Sequence, residues 1–270
     1  MNKLFKSFKS SPKYSIKWNN YFEIYENILK KYINKKITLV EIGVGNGGSL
    51  FMWKKYLGKK ANIIGVELNP EAKKLEKYGF KIFIGDQSDP VFWKSFYRKV
   101  KKIDILIDDG GHTNLQQITS FMEAVDHIKD NGLIVIEDTH TSYMNYKGFK
   151  NPSKSSFINF SSNIIENIHR RNPMLRKKMN KISNKIYSIE YYDSIVAINI
   201  KTKNLKYSKN LQNNKNLAIS FTDYRFKRVE TKKNKNKIIN AIKSKVSKKG
   251  YLQKIYEEYQ ITKYLKKLKI

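Results

Sequence analysis

The sequence predicts an α/β fold, a doubly wound and mostly parallel sheet with an antiparallel C-terminal hairpin, an N-terminal helix and a basic C-terminal helical extension. Three observations carry that prediction. Short β-branched apolar runs recur between residues 37 and 138 without polar alternation, as buried parallel strands do. Stretches of helical character separate them, two of which open on a capped proline. Beyond residue 185 two adjoining β-rich halves read as a hairpin.

Residues 18–33 carry apolar side chains at helical spacing. ITLVEIG at 37–43 is the first strand, followed by a glycine-rich turn and a helix over 48–57. NIIGVEL at 62–68 is the second. Asn69-Pro70 then opens a helix over 70–78, with the asparagine as cap and the proline in the first turn. KIFIGD at 81–86 is the third strand, and Asp89-Pro90 opens a helix over 90–100. IDILIDD at 103–109, a helix over 114–129 and GLIVIED at 132–138 complete the parallel part. A helical region follows near 155–178, and KIYSIEYYDSIVAINIK at 185–201 turns back at Tyr192-Asp193-Ser194 to close the sheet edge. The pieces 203–216 and 231–237 read as loops, and 238–268 as one or two amphipathic helices. The expected division is an N-terminal helical segment 1–36, a cofactor domain 37–201 and a basic extension 202–270.

The absence of cysteine excludes disulfides, thiolate zinc sites, iron–sulfur clusters and cysteine nucleophiles, and points to a reducing, cytoplasmic setting. The opening MNKLFKSFKSSPKYS lacks the apolar core of a secretory signal, and no stretch approaches the roughly 18 apolar residues of a membrane span. The net charge of +31 is unevenly placed. Residues 37–146 hold 14 Lys+Arg against 14 Asp+Glu, whereas residues 201–270 hold 21 against 4. The lysines travel with asparagine, isoleucine and tyrosine, a bias that reads as solvated surface rather than a face for nucleic acid.

Gly43, Gly45 and Gly48 satisfy G-x-G-x-x-G by spacing, at a strand-to-helix turn where small residues let the backbone approach a ligand. Glu67, at the end of the second strand, is placed to accept hydrogen bonds from ribose hydroxyls, which suits NAD and S-adenosylmethionine alike. Gly85-Asp86-Gln87-Ser88-Asp89 is able to meet the edge of an adenine, and no hydride-site residue follows. The fourth and fifth strands end in Asp108-Asp109-Gly110-Gly111-His112 and Glu137-Asp138-Thr139-His140, which face one crevice in an open parallel sheet. Up to four carboxylates would converge there with no lysine or arginine between them, a repulsion that a hard divalent cation resolves. Oxygen ligands with open positions suit Mg²⁺. His112 is then placed as general base toward a hydroxyl at that ion, since imidazole titrates near neutral pH. His140 reads as positioning or structural, and His127 and His169, on helices, carry no signal.

Together VEIGVGNGGS, VELNP, GDQSDP, IDDGGHTNLQQ and GLIVIEDTHTSY resemble the Rossmann-like class I S-adenosylmethionine-dependent methyltransferases over residues 18–200. Within these they are similar to the metal-dependent sugar O-methyltransferases of the macrocin and mycinamicin type and to related enzymes of bacterial polysaccharide clusters. The resemblance implies that Gly43, Gly45 and Gly47 cradle the methionine part of the cofactor, with Glu41 supporting the loop. It also implies Glu67 on the ribose, Asp86 and Gln87 against the adenine, and Asp108 beside the methionine end. Asp109 and Asp138 would bind Mg²⁺ and His112 would take the acceptor's proton; Glu137 is open to either role, ligand or neighbour. The implied acceptor is a sugar, free, nucleotide-linked or lipid-linked, with peripheral contact to an anionic membrane and homo-oligomerisation both open. A nucleic-acid methyltransferase using residues 202–270 and a non-catalytic cofactor-fold subunit are the alternative readings.

Overall fold

The first strand, β1 (Thr38–Ile42), is buried on both faces and becomes the axis on which the rest of the sheet is hung. In this computed structural model, residues 2–146, 149–150, 155–169, 182, 184–203, 211 and 213 are described. β1 pairs in parallel with β2 (Asn62–Glu67) on one side and with β4 (Ile103–Asp108) on the other. Outward from these lie β3 (Lys81–Ile84) and β5 (Ile128–Ile136), again parallel. The hairpin β6 (Ile186–Tyr192) and β7 (Ile195–Ile200) adds two antiparallel strands, giving the order β3-β2-β1-β4-β5-β7-β6. The chain reverses direction across the sheet between β1 and β4, which is where open α/β sheets hold ligands. Register aligns the ends there: Ile42 is level with Val66 and Asp108, and Asp108 with Ile136.

Successive strand residues point to opposite faces and build two cores. Leu39, Ile63, Ile105 and Val135 pack with α2 (Tyr21–Leu29) and α3 (Gly48–Leu57), around Tyr25 and Trp53. Val40, Ile64, Leu106 and Ile134 pack with α4 (Pro90–Val100), α5 (Asn114–Ala124) and α6 (Phe157–His169), around Trp93 and Phe121. A short helix α1 (Lys3–Lys9), capped by Asn2, packs against α2 and α3 with Leu4 fully buried. Residues 3–33 thus share the core of the compact unit Met1–Lys209; of the second unit, Asn210–Ile270, only Leu211 and Asn213 are described.

Two boundaries and one helix type differ from the sequence expectation. The 114–129 helix ends at Ala124, and His127 sits in the following turn, stacked on Tyr97 at 3.9 Å. β5 begins at Ile128, and its register with β4 shifts ahead of Leu133, with Asn131 at φ +61°. The segment Pro70–Tyr78 is a 3₁₀ helix, capped by Asn69 as expected. Of the 155–178 region residues 155–169 are described, and α6 is their helical part; residues 170–178 and the expected elements 203–216, 231–237 and 238–268 lie outside the described residues apart from 203, 211 and 213. No helix among the described residues is long and apolar enough to cross a membrane.

Candidate active site at the strand ends

The β1–α3 turn is shaped by close approach. Gly43 has φ +80°, and a Cβ there would lie 2.0 Å from the backbone oxygen of Asp109. Only glycine lets the end of β4 pass that close. Gly47, φ +87°, caps α3. The Gly45 amide donates to the Glu67 carboxylate at 3.1 Å, and Glu67 also accepts from the amides of Leu68 and Asn69. A cleft of about 340 Å³ opens beside the turn, lined among others by Gly43, Gly45, Glu67, Asp86, Asp109 and Gly111. Beneath the turn, buried Glu41 accepts from Ser49 Oγ at 2.7 Å and Trp53 Nε1 at 2.9 Å. Burial pushes its carboxyl up to about 7 against the pull of Lys17.

Gln87 lines the cleft, and Asp108 is buried and hydrogen-bonded to it. Gln87 Nε2 donates to both Asp108 oxygens at 2.9 and 3.0 Å and to Ser120, while its Oε1 accepts from the Gly111 amide. Asp108 is fully buried, and burial holds its carboxyl above the usual range. Asp86 remains exposed at the rim, where it accepts from the Ser88 amide and hydroxyl.

Asp109, His112 and Asp138 come together. One ligand atom from each lies within 4.8 Å of the others. His112 Nε2 stands 3.4 Å from Asp138 Oδ2 and 3.9 Å from Asp109 Oδ1. The remaining oxygens are taken: Lys17 Nζ donates to Asp109 Oδ2 at 2.6 Å, and Trp18 Nε1 and Tyr21 OH donate to Asp138 Oδ1 at 3.1 and 2.5 Å. One oxygen of each aspartate is therefore left facing the imidazole, a donor set that fits a hard divalent cation. His112 and Asp138 have φ of +56° and +51°, left-handed backbone that is uncommon outside glycine and that clusters at functional sites.

The expectation that no lysine or arginine stands among these carboxylates is corrected by Lys17. Its side chain is only 3% exposed, 2.6 Å from both Asp109 Oδ2 and Glu137 Oε1 and 4.0 Å from Glu41 Oε1. Burial alone would lower its ammonium, but Asp109, Glu137 and Glu41 together hold it above the ordinary lysine range. Glu137, buried and raised by that burial, is held by Lys17 and by Tyr25 OH at 2.6 Å. Sequence reasoning missed Lys17, Trp18, Tyr21 and Tyr25. The signal available was the charge imbalance itself, which called for a cation from elsewhere in the chain. His140, its ring edge-on to Trp18, stands at the margin of the cluster.

No family model matches the chain. It is 30% identical over 165 residues to an 8-demethyl-8-alpha-L-rhamnosyl tetracenomycin-C 2'-O-methyltransferase of Streptomyces olivaceus, covering 57% of this chain and 43% of that protein. It is 34% identical over 126 residues to a mycinamicin VI 2''-O-methyltransferase of Micromonospora griseorubida, covering 44% and 31%. This chain thus spans less than half the length of these relatives. A solved mycinamycin-pathway methyltransferase, in complex with Mg, SAH and mycinamycin VI, superposes with a TM-score of 0.66 at 24% identity, over 77% of this chain and 55% of that one. The fold is that of a class I S-adenosylmethionine-dependent methyltransferase. In an open α/β sheet of this order the crevice at the strand ends is where ligands are held, and here the glycine turn, Glu67 and Asp109 line it, with His112 and Asp138 clustered on Asp109.

Proposed function

We propose that this chain is an S-adenosylmethionine-dependent, Mg²⁺-assisted O-methyltransferase acting on a sugar hydroxyl, in cytoplasmic assembly of a bacterial surface polysaccharide or glycoside. The observation that carries the reading is the meeting of Asp109, His112 and Asp138 beside a cleft bounded by the Gly43–Gly45 turn and Glu67. When bound, the donor supplies a methyl group on a sulfonium and the ion lowers the pKa of the acceptor hydroxyl. Gly43 and Gly45 give the backbone room to approach the donor, Glu67 accepts from ribose hydroxyls, and Asp86 lies at the adenine rim. Asp109 Oδ1 and Asp138 Oδ2 would hold the ion, and His112 Nε2 would accept the proton that leaves the hydroxyl. The relatives named above are a 2'-O-methyltransferase of a rhamnosyl tetracenomycin and a 2''-O-methyltransferase of mycinamicin VI, and their names support hydroxyl methylation here. The acidic strand ends favour a cation and a neutral hydroxyl over a polyanionic substrate, which weighs against nucleic acid.

Two measurements test this. S-adenosylhomocysteine should raise the melting temperature and NAD should not; at 100 times its dissociation constant a ligand adds about 2.7 kcal/mol. Glu67→Ala should lose most of that shift. Methylation of sugar acceptors should stop in EDTA and return with Mg²⁺, while donor binding persists. Asp138→Asn should mimic chelation without disturbing the backbone, because asparagine tolerates the left-handed region. His112→Ala should keep Mg²⁺ affinity and lose roughly 10²–10⁴ in turnover. Full turnover in chelator sinks the metal assignment, and loss of Mg²⁺ affinity in His112→Ala makes the imidazole a ligand instead of the base.

A further inference from the structure

The chain has three tryptophans, and two of them, Trp53 and Trp93, are fully buried. Trp18 is 58% exposed. It is not a loose surface residue, because its Nε1 donates to Asp138 Oδ1 at 3.1 Å and its ring meets the His140 ring edge-on at 6.1 Å. The backbone on either side is also tied down: the Gly48 amide donates to the Tyr14 carbonyl, and Lys17 and Tyr21 each hold a carboxylate of the cluster. An indole of fixed orientation therefore stands against one oxygen of Asp138, while the other oxygen faces His112.

That placement has a chemical consequence. A hydroxyl brought to an ion at Asp109 Oδ1 and Asp138 Oδ2, with His112 Nε2 to take its proton, is one carboxylate away from the indole, so the carbon frame that bears it comes within reach of Trp18. A pyranose presents a face of polarised C–H bonds and a rim of hydroxyls. The face suits the negative surface of an indole and the rim suits the surrounding carboxylates. We propose that Trp18 is the stacking wall of the acceptor subsite and takes the C–H face of a pyranose whose hydroxyl reaches the Asp109–His112–Asp138 cluster. The proposal rests on the methyltransferase reading above and names the residue that positions its acceptor.

Because the other two tryptophans are buried, acrylamide quenching of intrinsic fluorescence reports on Trp18. With the full chain, S-adenosylhomocysteine and Mg²⁺, methyl glycosides of rhamnose, glucose and galactose and nucleotide-linked hexoses are titrated, with glycerol as the control. At least one glycoside should shield Trp18 saturably and also be methylated when the donor replaces its product; glycerol should do neither. Trp18→Ala should raise KM for that glycoside about tenfold or more with kcat changed only a few-fold, the loss expected of a stacking contact. Trp18→Phe, which keeps a flat ring but drops the bond to Asp138, should restore most of the KM, and both variants should keep parental Mg²⁺ affinity. Methylation of a glycoside with Trp18 still open to acrylamide, or parental KM in Trp18→Ala, overturns the stacking wall and leaves the enzyme reading standing. Shielding by adenosine monophosphate or an oligonucleotide, with no glycoside methylated, overturns both.

Discussion

Lys17 carries its charge into a place almost closed to water, and what makes that tolerable is the company it keeps. A buried charge whose partner is removed typically costs 3–5 kcal/mol. Lys17→Met should therefore destabilise the protein by about that amount, read by chemical denaturation, because Glu137 loses its ammonium. The double variant Lys17→Met/Glu137→Leu should recover most of the loss, since Asp109 is partly exposed and can be hydrated. Glu41 makes a second prediction. Its folded pKa is raised to about 7, chiefly by burial, so the folded state holds a proton that the unfolded chain gives up near 4.5. Stability is then fullest below pH 4.5 and declines as pH rises through 7, by about 3 kcal/mol at 1.36 kcal/mol per unit. Glu41→Gln should flatten that slope in denaturation at pH 5, 6, 7 and 8; an unchanged slope counts against it. At this scale the acids were readable and their cation was not. Asp109, His112 and Asp138 stand at strand ends marked by glycines and β-branched runs, whereas Lys17 is one lysine in a lysine-rich stretch with no local pattern of its own.

Elements were legible where local chemistry and tertiary packing agree. Asn69 and Asp89 cap the segments that Pro70 and Pro90 open, as composition alone indicated. The α5–β5 boundary was not legible, because Ile128 continues the helical spacing of α5 and yet pairs with Ile103 in the sheet. Helix α1 escaped notice because it is only seven residues long, with an apolar face limited to Leu4, Phe5 and Phe8, of which the two phenylalanines pack onto Phe22. Packing between elements gives a third prediction, at Gly48. Alanine within a helix ordinarily gains roughly 1 kcal/mol over glycine. Here a Cβ would lie 2.5 Å from the carbonyl oxygens of Lys13 and Tyr14, and the Gly48 amide and carbonyl hold Tyr14 and Ser11. Gly48→Ala should therefore lower the melting temperature and weaken binding of S-adenosylhomocysteine, since residues 14–17 line the same turn as Gly43 and Gly45. A melting temperature at or above the parent's would show that the segment yields freely.

For the chain as a whole, charge and chemistry occupy different stretches: the site lies in the neutral middle and its N-terminal neighbour, and the basic excess is greatest beyond residue 200. The compact unit ends at Lys209, and the sheet is tied off by Asp130, which accepts from the amides of Thr202 and Lys203 at 2.7 and 2.9 Å. Truncation after Lys209 should leave the melting transition and its response to S-adenosylhomocysteine in place, whereas truncation before Thr202 should lower the transition. The order of the strands also bears on how the molecule comes into being. Among the described residues β7 is the last strand in chain order, yet it lies inside the sheet, between β5 and β6. On a ribosome, every strand of the parallel half can pair before residue 195 is made, but until then β5 offers an open row of amides and carbonyls flanked by Leu133, Ile134, Val135 and Ile136. Such an edge recruits other strands, including those of neighbouring nascent chains. The interval between synthesis of β5 and of β7 is therefore the one in which this protein most needs a chaperone, and it closes when Val196, Ala197, Ile198 and Asn199 slot against β5.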